Sequence, residues 1–365
     1  MSSSLSVYLD LLRFLAALAV FVLHASFERL SGGLPFLWRF AVFGSDAVML
    51  FFVLSGFVIA HVATREAASP RGYAAARLAR LWSVCVPALQ LTVLVDAIGM
   101  RLAPHLYDFT WYEYSHPVAR TLASLAFANE LWFWSLHPFS NTPYWSVGYE
   151  FWYYVLFGAW LFTRGRGRWL ACGLVALVMG PKILLLLPVW LAGVRAYRTR
   201  LAQRLSPGAA GLLCAATLAA YLAYRDSALP QDLARFTAQW LGSATSRQLG
   251  WSANFLGDYL VGALVALHFV GARRLLQDDA AVPPRLERSI RALAGYTFAL
   301  YLFHNPLLQF FGALAHGLGW WDYRALPVVL GPLLVVWLLG ARTERLKGPL
   351  KAALLRTFAR RAQAG

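Results

Sequence analysis

The sequence predicts an all-α, polytopic integral membrane protein with about ten transmembrane helices and both termini in the cytoplasm. Three observations lead there. Of 365 residues, 59% are hydrophobic and only 14% charged, close to the ceiling for a soluble chain. Apolar windows long enough to bridge hydrocarbon recur from end to end. The 33 Lys and Arg residues cluster in alternate connecting segments, as short cytoplasmic loops do.

The windows fall at about 7–26, 40–62, 80–99, 146–163, 168–180, 183–196, 208–225, 250–270, 291–312 and 326–343. The fifth and sixth are short and flank "MGPK", where Gly and Pro punctuate a helix; they read as a tight helical hairpin. Segment 119–136 is an ambiguous eleventh window. With an inside N-terminus and ten crossings, segments 64–80, 164–168, 195–204, 271–291 and 342–365 hold 23 of the 33 basic residues. A crossing at 119–136 would move most of them outward, so that segment is expected to be re-entrant or to lie on the outer surface.

The first run lacks both a basic leader and a small-residue cleavage site and reads as a retained span. No linker divides the chain: 1–345 is one transmembrane domain and 346–365 a basic cytoplasmic tail. Cys85, Cys172 and Cys214 sit in apolar runs and receive no chemistry. The net charge of +16 reports topology here, not nucleic acid.

The first run, "LDLLRFLAALAVFVLHAS", carries Asp10, Arg13 and His24. At about 100° per residue, eleven steps return to within roughly 20° of the starting face and about 16 Å further along. Arg13 and His24 therefore share a stripe, and Asp10 sits one turn from Arg13, positioned to pair with it. A charge at mid-membrane costs on the order of 3 kcal/mol, so the stripe is expected to face protein or a wet cavity. The plainer alternative is a snorkelling ion pair and a satisfied histidine.

Asp46, Glu150, Asp258 and His304 fall at a depth similar to His24, near the outer half of their helices. A histidine beside a carboxylate is a base poised near neutral pH. Asp46 is the expected orienter of His24, because a helical hairpin brings both to the outer end of adjacent helices. At the inner face "RGYAAARLARLW" sets Arg77 and Arg80 about one turn apart, a spacing suited to a phosphate-rich ligand; positive-inside anchoring to anionic lipid is the alternative. "YDFTWYEYSH", "WFW" and "PYW" concentrate aromatics near the outer interface, where aromatic belts and sugar-binding faces use the same residues. His61, His268, His105, His116 and His137 are read as structural.

"RFLAALAVFVLH", "GSDAVMLFFVLSGFVIA", the Arg77 and Arg80 pair, "YWSVGYEFWYYVLF" and "YTFALYLFHNPLL" resemble, in order, the motifs of the acyltransferase-3 family of membrane O-acyltransferases. The resemblance runs from about residue 5 to 345. It implies a ten-helix enzyme of the bacterial inner membrane that takes an acyl group, most often acetyl, from cytoplasmic acyl-CoA and places it on a hydroxyl of an envelope polysaccharide, oligosaccharide or lipid-linked glycan. It also implies a catalytic role for His24, an essential one for Arg13, partnership of Asp46 with the histidine, and importance for Arg77, Arg80, Trp145, Ser146 and Glu150. Val147 and Phe151 depart from the usual fourth motif.

On this reading His24 is the general base, with Asp46 and Glu150 in the catalytic group. Arg13, Arg77 and Arg80 bind acyl-CoA, the donor co-substrate. Ser55, Trp145, Ser146 and His304 support the substrates. No metal and no nucleic acid is expected; membrane lipids are partners. A covalent acyl intermediate on His24 or Ser55 stays open, as does the choice for His304 between oxyanion stabiliser and gap filler. The rival reading is a proton-coupled transporter or polysaccharide exporter component that uses the buried His and Asp residues as a relay.

Overall fold

The computed structural model describes residues 1–66, 69–278 and 282–363. Among these residues the regular structure is entirely helical, and eight helices are long and apolar enough to cross a membrane. The principal elements are α1 (Ser3–Ala25), α2 (Gly44–Glu66), α3 (Pro70–Leu102), α4 (Pro117–Leu125), α5 (Trp145–Phe162), α6 (Gly165–Arg198), α7 (Pro207–Asp226), α8 (Leu229–Leu241), α9 (Phe255–Leu275), α10 (Pro284–Ala294), α11 (Thr297–Gly317), α12 (Ala325–Arg345) and α13 (Lys347–Gln363). Leu170, Leu174 and Leu177 on α6, Leu212, Leu218 and Leu222 on α7, and Leu326, Leu330, Leu334 and Trp337 on α12 are exposed. Apolar stripes of that extent have no place in water; they are the lipid-facing surface of a membrane bundle.

α6 is not one straight rod. Arg168 near its start lies 4.6 Å from the Trp160 ring centroid, and Arg198 at its end lies 5.6 Å from that of Phe157. A straight helix would separate the two arginines by about 45 Å. The chain instead turns back at Gly180 (φ 74°, ψ 179°), a conformation that glycine alone adopts readily, and Pro181 follows it. A Cβ at Gly180 would lie 2.5 Å from Trp132 Cα, so the turn also receives the segment above it. The hairpin expected at "MGPK" is present.

The returning arm of α6 packs against α2 backbone to backbone. A Cβ on Gly56 would lie 2.0 Å from the Trp190 carbonyl oxygen, and one on Gly193 1.9 Å from that of Val53. Small residues permit such an approach inside a bilayer, where dispersion and close fit replace the hydrophobic drive. It brings Ser55 within reach of Trp190.

α4 has nine residues, about 14 Å, too short to cross. Residues 126–141 continue without regular structure across the α6 turn, where the Trp132 N–H donates to the Met179 carbonyl at 3.1 Å. The 119–136 segment therefore does not span, as the distribution of basic residues required. At the other end of the chain, the tail beyond residue 346 forms α13 and packs along α3.

Candidate active site

α1, α2, α3, α5 and α11 enclose a cavity of about 70 Å³ that is lined by Arg13, Arg77, Arg80, Ser55, Glu150 and Tyr154 and also by Ser146, Phe51 and Tyr301. Its charge is organised around one carboxylate. Ser55 Oγ donates to Glu150 Oε1 at 2.7 Å, the Tyr154 hydroxyl donates to the same oxygen, and Trp190 Nε1 donates to Ser55 Oγ at 3.2 Å. Arg80 hydrogen-bonds Tyr154, and the Arg77 guanidinium lies 5.7 Å from the Tyr154 ring centroid. Arg13 enters from α1 and pairs with Asp10 at 3.3 Å; Asp10 also meets Arg291 at 3.3 Å. Three guanidiniums against one carboxylate leave the lining net positive, a setting for an anionic ligand.

Tyr301 lines the cavity from α11. Its hydroxyl lies 2.7 Å from Ser146 Oγ and donates to the Pro143 carbonyl at 3.1 Å. Phe51 packs edge-on against its ring, at 5.5 Å between centroids. On the next turn of α11, His304 stands 6.2 Å from the Tyr301 ring. His304 is fully buried, whereas His24 is half-buried.

The two histidines touch: His304 Nε2 lies 3.2 Å from His24 Nδ1. Backbone carbonyls only accept, so the tautomers follow. His304 Nδ1 donates to Leu300 O at 3.0 Å, which leaves neutral His304 Nε2 as an acceptor. His24 Nδ1 lies 2.9 Å from Val20 O and faces that acceptor, so it carries the proton. The lone pair of His24 is therefore on Nε2, the atom a general base needs.

A family model described as "Acyltransferase domain" matches residues 6–342. The chain belongs to the acyltransferase 3 family. No curated protein and no solved structure matched the chain.

The remaining sites expected from the sequence fall into separate places in this acyltransferase. Asp46 does not orient His24: its carboxylate accepts from the Tyr221 hydroxyl at 3.0 Å and pairs with Arg225 at 3.4 Å, both on α7. α1 and α2 are neighbours as expected, but Asp46 occupies the face of α2 that looks toward α7 and α9, where it lines an apolar groove with Leu12, Ala16 and His268. The cluster expected at one depth thus divides into three: His24 with His304, Glu150 with Ser55, and Asp46 with Arg225.

Trp145 is 6% exposed and stacks on Trp251 at 5.4 Å and 7°, while Trp251 lies 5.8 Å from exposed Trp111. It is the buried end of an aromatic ladder, not an open sugar platform. Ser146 spends its hydroxyl on Tyr301, and α5 begins without a side-chain cap. His61 bonds the Tyr197 hydroxyl at 2.9 Å, and His268 those of Tyr8 and Thr217 at 2.6 and 3.1 Å.

Sequence reasoning missed Tyr154, Tyr301 and Trp190. The signal for Tyr154 was present, four residues after Glu150 and hence on its face. Tyr301 likewise precedes His304 by three. It also missed a fully buried ion pair, Glu130 with Lys182, in which the ammonium also donates to the Trp134 carbonyl and to Ser135 Oγ. That pair anchors the irregular segment whose next residues reach α11: Asn141 Nδ2 donates to Leu302 O at 2.9 Å, and Asn305 Nδ2 to Ser140 O. The backbone beside His304 is held from outside in this way.

Proposed function

We propose that this acyltransferase moves an acyl group, most often acetyl, from acyl-CoA to a hydroxyl of an envelope polysaccharide, oligosaccharide or lipid-linked glycan, with His24 as general base. It makes ten crossings of a bacterial inner membrane, counting α5 and both arms of α6, with both termini cytoplasmic. One observation carries this reading: a single cavity runs from the three arginines to Tyr301, and the ring behind Tyr301 is hydrogen-bonded to a histidine whose Nε2 holds the free lone pair.

The diphosphate and phosphate groups of CoA rest on Arg77 and Arg80. The pantetheine arm follows the Arg13 wall and carries the thioester to the Tyr301 end. A sugar hydroxyl is too weak an acid to attack unaided, so His24 Nε2 takes its proton as the oxygen adds to the thioester carbon. The tetrahedral intermediate collapses by breaking the C–S bond, and the imidazolium returns its proton to the departing thiolate. The protein itself need form no bond to the acyl group. His304 positions the base: its Nε2 and the Val20 carbonyl both face His24 Nδ1 and hold the ring.

The test is acetyl transfer from radiolabelled acetyl-CoA to envelope glycan by membranes that contain the protein. Wild type is expected to label the glycan. His24→Ala is expected to lose at least about 100-fold of the rate, the usual scale of general-base removal, at unchanged abundance. A fully active His24→Ala would remove the base; donor-independent flux of a solute lost in the same variant would favour a transporter.

A further inference from the structure

Five residues after His24, Arg29 lies in the short helix Glu28–Ser31. Its guanidinium is held by neutral groups only. One terminal nitrogen donates to Gln309 Oε1 at 2.8 Å and the other to the Tyr112 hydroxyl at 2.6 Å. Its carbon lies 4.0 Å from the Phe109 ring centroid and 5.1 Å from that of Tyr112. Gln309 is fully buried and Tyr112 nearly so. The Nε–H has no hydrogen-bond partner, and among the described residues no carboxylate forms an ion pair with Arg29.

A second guanidinium stands nearby in the same condition. Arg324 lies over the Trp321 ring at 4.1 Å, donates to the Trp321 carbonyl at 2.7 Å and presses against Gly32, whose Cβ position would be 2.8 Å from it. It too has no carboxylate partner among the described residues. Beside Arg29 is an open pocket lined by Phe27, Arg29, Gly32, Gly33 and Phe109, and Glu28 is the only carboxylate among the described residues that line it; Arg324 reaches its edge at Gly32. Glu28 is exposed. Phe27 at the pocket wall packs on the His24 ring at 5.3 Å, so the pocket adjoins the proposed base on the side away from Arg13, Arg77 and Arg80.

A half-buried guanidinium that has only neutral partners carries an uncompensated charge, and its remaining N–H groups form a planar fork that matches an oxyanion. Aromatic faces beside it suit a sugar ring. We infer that this pocket receives the acceptor, and that the acceptor is an acidic saccharide whose carboxylate or phosphate pairs with Arg29. This rests on the assignment of His24 as base for its place in catalysis. The binding it asserts is read without any donor, so it stands or falls separately from acyl transfer.

The experiment measures equilibrium binding by calorimetry to the full chain in lipid nanodiscs, with two matched pairs of probes: trigalacturonate against its methyl ester, and glucose 6-phosphate against glucose. The acid of at least one pair is expected to bind about tenfold or more tightly than its neutral partner, the scale of a charge-assisted hydrogen bond. The pair with the larger ratio tells carboxylate from phosphate. The ratio is expected to fall in 0.5 M salt, to approach one in Arg29→Gln, and to persist largely in Arg29→Lys, while acetyl-CoA binding is unchanged in both variants. Should Arg29→Gln not fold, the wild-type ratios and their salt dependence decide. Equal binding within each pair, no binding of either acid at millimolar concentration, or a preference that survives Arg29→Gln would overturn the inference.

Discussion

Replacing Lys182 with Met should be among the most destabilising single changes in the protein, although Lys182 lies outside the proposed site. Its ammonium is fully buried and its partners are the equally buried Glu130 carboxylate, the Trp134 carbonyl and Ser135 Oγ at 2.7 Å. Without it, Glu130 keeps the Ser135 hydroxyl at 3.2 Å and the neutral His137 ring at 3.6 Å, and a charge is stranded away from water. Breaking one side of a buried pair costs about 3–5 kcal/mol, a hundredfold or more in the folded-to-unfolded ratio. Combining Lys182→Met with Glu130→Gln removes the stranded charge and should recover most of that loss. The assay is reversible unfolding in mixed micelles, followed by the summed fluorescence of the 15 tryptophans. A single variant costing under about 1 kcal/mol, or a double variant no better than the single, would refute the reasoning.

Two further outcomes follow from the same geometry. His304→Phe removes the ring that, together with the Val20 carbonyl, orients His24 through Nδ1 and should lower kcat about 10- to 100-fold, while KM for acyl-CoA stays within about twofold because the arginines stand apart from the histidine pair; His304→Gln restores an acceptor and part of the rate, and steady-state kinetics with both substrates varied separate the two effects. His137, in the outer segment, is held down to about 4 by burial, with Lys182 and Arg120 adding to it. An unfolded chain binds a proton there as pH falls below about 6.5, and the folded chain does not until about 4, so wild type should lose stability relative to His137→Gln across that window and not above it; melting curves at pH 7, 5.5 and 4.5 check this, and parallel behaviour of the two proteins would count against it.

Much of the fold was legible because membrane solvent imposes simple rules. Helix length, a Gly-Pro pair and the sidedness of arginines were enough to place the α6 hairpin and to keep 119–136 from crossing. α5 is less visible to a hydropathy window because Tyr and Trp dilute its apolar content, yet it carries Glu150 and Tyr154. The stripe on α1 followed from the helical repeat, and Arg13 does line the cavity, while His24 is not among its lining residues. What hydropathy reports is depth, and depth leaves the direction around each helix undetermined. Asp46 and His304 stand at comparable depth to His24, but only the packing of α11 against α1 and of α2 against α7 and α9 decides which one reaches the ring. The Glu130 and Lys182 pair was illegible for a related reason: its members lie 52 residues apart, one in an irregular loop and the other just after a turn, with no periodicity to connect them.

Sealed proteoliposomes with a uniform protein orientation provide the most direct measurement of the proposed chemistry. Radiolabelled acetyl-CoA is supplied only on the side of Arg77 and Arg80, and glycan acceptor is trapped only on the other. Labelled glycan in the trapped compartment, with CoA released where the donor was added and no leakage of either substrate, is the expected result. Labelling only when both substrates share one compartment would contradict a cavity through which donor and acceptor meet from opposite faces.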